Sequence, residues 1–252
     1  QELAMVERRI KVNVERQNFE LQEGNYTQSY EVPVIDGMMV LDALNYIRDE
    51  IDSTLAFRWS CRMGICGSCG MTVDEQPRLT CQDNLDGYSD EISVAPLNNF
   101  PVVRDLVVDI DDFMQKKLPS VSPWLIRKEE APLDQGEYLQ SPAEMAKYAD
   151  NSACINCMLC YSACPVYDME PNFVGPAAMA LAQRYNLDSR DQGSGARYSV
   201  LSGPDALWDC TFVGECSVAC PKGVNPAEAI QRAKVEATQR WAKSLIMPWS
   251  QK

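Results

Sequence analysis

The side chains able to do chemistry in this chain are its 11 cysteines; there is no histidine among the 252 residues. The cysteines fall into three blocks. The first is Cys61-x4-Cys66-x2-Cys69, followed by Cys81. That is the spacing with which plant-type proteins hold a [2Fe–2S] cluster through four thiolates. Gly64, Gly67 and Gly70 sit inside the block; glycine lets a backbone curl tightly and turn its N–H groups toward sulfur, which helps to hold a negative cluster. A structural zinc site is the alternative, but zinc prefers two separated Cys-x2-Cys knuckles. The second block, Cys154-x2-Cys157-x2-Cys160-x3-Cys164-Pro165, has the bacterial ferredoxin spacing, in which three cysteines hold one cubane and the fourth crosses to a neighbouring cluster.

The third block repeats the second with one position changed. Cys210, Cys216 and Cys220-Pro221 occupy the corresponding places, and Val213 stands where the second cysteine belongs. Crossing the fourth cysteine in both directions gives Cys154, Cys157, Cys160 and Cys220 to a [4Fe–4S] cluster. It leaves Cys164, Cys210 and Cys216 for the other cluster. Valine has no lone pair to offer, so a [3Fe–4S] cluster is the expected product. A cubane with water on its fourth iron is the alternative. Three clusters in one chain form an electron wire, which requires no nucleophile, base or substrate cleft.

The missing histidine excludes a Ser-His-Asp triad, a Cys-His pair, His-ligated zinc, a Rieske cluster and His-ligated haem. The formal net charge is -13, which speaks against nucleic acid, because phosphate binding needs a basic surface. The charge is uneven: Lys222, Arg232, Lys234, Arg240, Lys243 and Lys252 face only Glu228 and Glu236 in the last stretch. A solvated helix face accounts for this, and so does contact with anionic lipid headgroups. No stretch approaches the roughly 18 consecutive apolar residues of a membrane span, and no basic-then-apolar leader is visible. A reducing cytosolic setting is expected, where cysteines serve as metal ligands rather than disulfides.

The elements that must position these blocks differ between the halves, and the expected class is α+β. Ile10, Val12 and Val14, and then Tyr30, Val32 and Val34, alternate with polar residues as strands do. Leu41, Leu44, Ile47 and Ile51 mark an amphipathic helix within Met38–Asp52, and short strands are expected at Gly70–Val73 and Ile92–Ala95. This order suits a β-grasp [2Fe–2S] ferredoxin-like domain over residues 1–104. Residues 105–141, with Pro119, Pro123 and Pro132, read as a connector over the surface. Residues 142–252 read as an all-α domain, with helices at Pro142–Ala149, Pro176–Asn186, Asp205–Cys210 and Pro226–Leu245. The last has Asn225 at the N-cap, Pro226 at the first helical position and Glu228 at the third.

With the cysteines placed, the chain resembles, over essentially its whole length, the iron–sulfur subunit of fumarate reductase and succinate dehydrogenase (complex II). The resemblance is carried by Arg58-Trp59-Ser60-Cys61-Arg62, Asn99-Phe100-Pro101, Arg104-Asp105-Leu106 and Cys154-Ile155-Asn156-Cys157. It continues through Phe173-Val174-Gly175-Pro176-Ala177, Arg184-Tyr185-Asn186 and Cys220-Pro221-Lys222. It implies a β-grasp domain followed by an α-helical ferredoxin domain. It also implies a flavoprotein subunit with covalent FAD beside the [2Fe–2S] cluster, and a transmembrane anchor beside the [3Fe–4S] cluster with quinone between.

By the same resemblance, Gln231 and Lys234 stand near the quinone head, three apart on one helix face, with Pro165, Met169, Thr211 and Val213 as the remaining pocket wall. Lys234 would donate to a quinone carbonyl. Succinate dehydrogenases often have Trp and His where Met169 and Thr211 stand, which points to the fumarate reductase side, with menaquinol as donor and a peripheral place on the cytoplasmic face of the cell membrane. The alternatives are a succinate dehydrogenase subunit working oxidatively, a soluble thiol-dependent fumarate reductase, and, in a different class, a structural zinc protein. Trp59 and Trp208 are expected to exclude water from clusters. Asp109, Asp111 and Asp112 read as a solvated turn.

Overall fold

The computed structural model describes residues 8–18 and 23–246; Lys252 of the basic segment lies outside them. The chain divides into two units. Residues up to Ile110, joined by Ile155–Ala163, form the first; Asp111–Cys154 and Cys164 onward form the second.

The first unit is built on a sheet of five strands. β1 (Arg9–Asn18) and β2 (Glu23–Pro33) form an antiparallel hairpin; β3 (Gly70–Val73), β4 (Gln76–Leu79) and β5 (Glu91–Ala95) complete the order β2-β1-β5-β3-β4. β1 runs parallel to β5, and the other pairs are antiparallel. The alternation seen in the sequence sends Ile10, Val12, Val14, Tyr30 and Val32 to one face. Helix α1 (Val40–Tyr46), extended by a wider turn over Ile47–Ile51, buries Val40, Leu41, Leu44 and Ile47. One core holds both sets apart from Leu41; each such side chain contributes about 1.5–3 kcal/mol when fully buried. The sheet-and-helix arrangement is the β-grasp expected.

β4 was not legible in the sequence. Val73 pairs with Gln76, so the turn is Asp74-Glu75, and both residues have positive φ, 44° and 65°. Hairpin turns of this kind ordinarily carry Asn-Gly or Asp-Gly. Here the Asp74 carboxylate accepts bonds from the Ser93 amide at 2.7 Å and hydroxyl at 2.9 Å, which holds the turn.

β6 (Val102–Arg104) and β7 (Val107–Val108) follow as a two-stranded ribbon. Their turn contains Asp105, whose carboxylate pairs with the buried Arg16 guanidinium at 3.0 Å and accepts the amides of Gln17 and Ala56. Arg16 also reaches Asp52 at 2.8 Å, the Tyr30 hydroxyl and the Thr54 hydroxyl. Burial alone would raise the Asp52 pKa, yet its bonds from Thr54, Tyr30 and Arg16 hold it well below the usual carboxylate range. The network fixes residues 52–56, the approach to Cys61. It also explains why Asp105–Ile110 belong to the first unit rather than to a connector.

The second unit is helical: α2 (Leu118–Ser120), α3 (Pro142–Ala146), α4 (Ala149–Ser152), α6 (Pro165–Met169), α7 (Pro176–Asn186), α8 (Ser194–Leu201), α9 (Glu215–Val218) and α10 (Pro226–Ile246). α5 (Leu159–Ser162) lies in the first unit. The stretch expected as one helix from Pro142 is two, α3 and α4, and the Asp205–Cys210 stretch shrinks to a single tight turn at Leu207–Asp209. α10 starts as its sequence indicates, the Asn225 side chain accepting the Glu228 amide at 3.1 Å. α7 and α10 bury Ala178, Ala180 and Ala182 and Ala229, Ala233 and Ala237, small residues that let two helices pack closely.

Residues 111–141 are fastened into this unit and do not merely cross its surface. Arg197, 1% exposed, forms a bidentate pair with Asp191 and donates to the carbonyls of Ser122 and Trp124. Asp191 in turn accepts the Ile126 amide. Lys117, also buried, donates to the carbonyls of Pro171 and Phe173, pairs with Asp112 at 3.3 Å and lies over the Tyr167 ring.

Removing one partner of a buried ion pair leaves the other charge uncompensated, at about 3–5 kcal/mol. Asp105→Ala is therefore expected to lower unfolding free energy by about that amount in a urea titration; a loss below about 1 kcal/mol would show that the Arg16 network does not hold the loop.

Candidate metal centres

The first cysteine block is shaped by the β3–β4 hairpin. Gly70 pairs with Leu79, so Cys69 and Cys81 both stand just beyond the open end of the hairpin. Thr80 locks the join, its amide and hydroxyl both donating to the Cys69 carbonyl at 3.1 and 3.0 Å. The thiols of Cys69 and Cys81 are neighbours, as are those of Cys61 and Cys66. Two adjacent pairs of sulfurs suit two metal atoms.

Cys61 accepts the amides of Met63, Ile65 and Cys66 at 3.3–3.4 Å. Those N–H groups stabilise the thiolate and bring its pKa down to about 6. Arg62, Gly64 and Gly67 all adopt positive φ to make the curl. Cys69 differs: burial pushes its thiol up to about 11. Trp59 is half-buried, with Arg62 stacked over its ring at 4.6 Å. Gln82 was not singled out from the sequence; its amide donates to the Cys81 carbonyl at 2.8 Å.

The second block is held at both ends of its run. Cys154 packs, together with Cys220, against Ala180, Val224 and Ala229 in the second unit. Cys157 and Cys160 lie on the segment that joins the first unit. Asn99 fixes that segment, its side-chain amide donating to the carbonyls of Tyr161 at 2.9 Å and Ser162 at 3.2 Å, while Phe100 lies near the Tyr161 ring.

The third block meets the fourth cysteine of the second. Cys164, Cys210 and Cys216 line one cavity with Pro165, Thr211, Val213 and Phe173. Burial raises the thiol pKa of Cys164 and takes that of Cys216 up to about 11, with the neighbouring sulfurs adding to the rise at both. Buried thiols so placed ionise only against a compensating positive charge, which is what a bound metal group supplies. Among the described residues no three Cys, Asp or Glu side chains close on a point tightly enough for one ion. Three thiols on one cavity are a donor set that suits a cluster of several metal atoms.

The backbone repeats with the cysteines. Asn156 (φ 54°) and Met158 (φ 65°) flank Cys157, and Phe212 (φ 62°) and Gly214 (φ 92°) flank Val213. Met158 and Gly214 then cap the matching short helices α5 and α9. Left-handed residues are rare outside glycine; their return at equivalent places marks two copies of one cradle, with valine at the position of Cys157.

Of the six positions carried over for quinone, Pro165, Thr211 and Val213 border the third cavity. Met169, at the end of α6, is exposed and is not part of that lining. Lys234 donates to the carbonyl of Cys210 at 2.8 Å, which ties α10 to the third block. Gln231 has a buried side-chain nitrogen with no hydrogen-bond partner among the described residues, an orphan donor beside that contact on the same helix. Trp208 is 53% exposed and does not seal this region within the chain. Asp112 is paired with Lys116 and Lys117 rather than forming a cation site.

Fold and sites together define an iron–sulfur electron-transfer protein. Two family descriptions match it: a 2Fe-2S iron-sulfur cluster binding domain over residues 11–115 and a 4Fe-4S dicluster domain over residues 150–224. The chain is 57% identical to a fumarate reductase iron-sulfur subunit of Mycobacterium tuberculosis, covering 96% of this chain and 98% of that one. It is 47% identical to the Escherichia coli fumarate reductase iron-sulfur subunit over 95% and 97% of the two chains. A succinate dehydrogenase iron-sulfur subunit of Coxiella burnetii is 37% identical over 90% and 96%. Among solved structures, a chain of the Mycobacterium smegmatis Sdh1 complex superposes with a TM-score of 0.82 at 27% identity, covering 93% of this chain and 98% of that one. The chain belongs to the fumarate reductase/succinate dehydrogenase iron–sulfur subunit family and is a component of an oxidoreductase.

The repeat geometry sets Val213 at the place that Cys157 takes in the second block. Val213→Cys is expected to convert a [3Fe–4S] cluster to [4Fe–4S], abolishing the paramagnetic signal of the oxidised protein and lowering that cluster's potential. An unchanged signal in an iron-loaded variant would show that Val213 does not face the cluster.

Proposed function

We propose that this chain is the electron-transfer subunit of a membrane-bound quinol:fumarate reductase. It connects quinol at a transmembrane anchor with FAD in a flavoprotein subunit through [3Fe–4S], [4Fe–4S] and [2Fe–2S] clusters. When bound, the clusters supply one-electron carriers of different potential; the rest of the work belongs to the chain's own residues. Cys61, Cys66, Cys69 and Cys81 would hold the first cluster, Cys154, Cys157, Cys160 and Cys220 the second, and Cys164, Cys210 and Cys216 the third.

The observation that carries this reading is the third cavity, where a fourth thiolate is replaced by valine and a lysine is bonded to a ligand carbonyl. Around it stand exposed apolar residues, Met169, Phe212, Val213 and Val218, the kind of surface that a partner covers. An anchor subunit is that partner in this account, because among the described residues no helix is long and apolar enough to cross a membrane. The apolar Met63 and Ile65, exposed on the first cysteine loop, offer a second such surface for the flavoprotein. Lys234 keeps donors to spare after its bond to Cys210, since an ammonium carries three. With Gln231 it presents hydrogen-bond donors where a quinone carbonyl would acquire negative charge. Met169 and Thr211, and the higher identity to fumarate reductase subunits than to the succinate dehydrogenase one, support fumarate reduction as the working direction.

Losing a hydrogen bond from a charged donor costs about 1.5–3 kcal/mol, roughly tenfold or more in rate. Lys234→Met is expected to cut quinol-linked fumarate reduction by about that factor while reduction driven by an artificial dye persists. Equal loss with both donors, or with neither, would contradict the placement of quinone at α10.

A further inference from the structure

Gly67 is in left-handed conformation, φ +73°, and a β-carbon built on it would lie 2.9 Å from both the Cα and the Cβ of Cys157 and 3.2 Å from the Ile155 carbonyl oxygen. Contacts that short are not tolerated, and none of the atoms met is the free end of a flexible side chain. Gly70, on the other side of Cys69, repeats the approach: its β-carbon would stand 3.1 Å from the Cys157 carbonyl oxygen and 3.2 Å from Leu159. Cys66, Gly67 and Cys157 line one cavity within the first unit. Gly64 provides the contrast. It has nearly the same φ, +67°, yet its β-carbon would meet only the side chain of Gln82, at 3.0 Å. Backbone conformation favours glycine at both positions; the neighbour demands it only at Gly67.

We propose that Gly67 is a positioning residue that seats the first cysteine loop directly on Cys157, and so sets the distance between the [2Fe–2S] and [4Fe–4S] clusters. This rests on the cluster assignment above. A β-carbon at Gly67 must push Cys157, or the loop holding Cys66 and Cys69, out of its place, because backbone lies on both sides of the contact. The curl of the loop around its own sulfurs would survive; the seating on the second block would not.

The test compares Gly67→Ala, Gly67→Asn and Gly64→Ala in the holoprotein. Iron and acid-labile sulfide are counted, and the spin relaxation of the reduced [2Fe–2S] signal is measured before and after the [4Fe–4S] cluster is reduced. Gly64→Ala is expected to keep the relaxation enhancement of the unmodified protein. Both Gly67 variants are expected to keep the two-iron signal and to lose that enhancement, or to lose the cubane's iron altogether. Asparagine tolerates positive φ, so its failure to rescue would assign the effect to the β-carbon rather than to backbone strain. Full enhancement in the Gly67 variants, or equal loss in Gly64→Ala, would overturn the proposal. Unmodified protein lacking one of these two clusters would instead overturn the cluster assignment.

Discussion

Close-set thiolates repel one another, and a protein that gathers them must supply positive charge or oriented dipoles at the same place. Much of this structure follows from that constraint. At Cys61 the supply is backbone: three amides turned onto one sulfur by a loop that spends three residues in positive φ. At Cys164 and Cys216 burial outweighs the neighbouring donors, Val166 and Tyr167 at the first and Ser217 at the second, and the thiols stay high in pKa. Thiols in that state would become stable as thiolates only when bound to metal ions. The two solutions divide the labour between chain and cofactor differently, which is one way in which a single polypeptide can hold clusters of unlike potential.

The loops that make these cradles have little regular structure, so something else has to hold them. Buried cations do it. Arg16 gathers Asp52, Thr54 and Asp105 behind the first cysteine loop. Arg197 draws in the chain at Ser122 and Trp124, and Lys117 holds the carbonyls of Pro171 and Phe173, the latter a wall of the third cavity. In each case a side chain with several donors is satisfied by carboxylates and backbone carbonyls from separate segments, so that breaking one contact strands the others. The arrangement puts rigidity behind the cysteine loops and leaves Met63, Ile65, Phe212 and Val213 exposed.

The two iron–sulfur domains were legible because ligand chemistry dictates cysteine spacing; the same interval recurs in the second and third blocks, with valine at one place. α10 was legible because its cap, its proline and its small buried face all agree. β4 was not, since an Asp-Glu turn carries no local hairpin signal and is held from a distance by Ser93. Nor could the sequence reveal that Ile155–Ala163 joins the first unit, a matter decided by the side chain of Asn99 more than fifty residues away. Gly67 falls between these cases. Its place in a tight loop was readable, whereas its closeness to Cys157 exists only once the chain is folded.

The central claim is that the chain holds three clusters of unlike nuclearity. It is tested most directly by counting iron and acid-labile sulfide on anaerobically prepared protein while recording low-temperature EPR. The account predicts about nine irons per chain, a signal from an oxidised [3Fe–4S] cluster that disappears on reduction, and a [2Fe–2S] signal that appears in its place. About ten irons with a silent oxidised state would contradict the three-thiolate site at Val213, and zinc without iron would contradict the electron-transfer account as a whole.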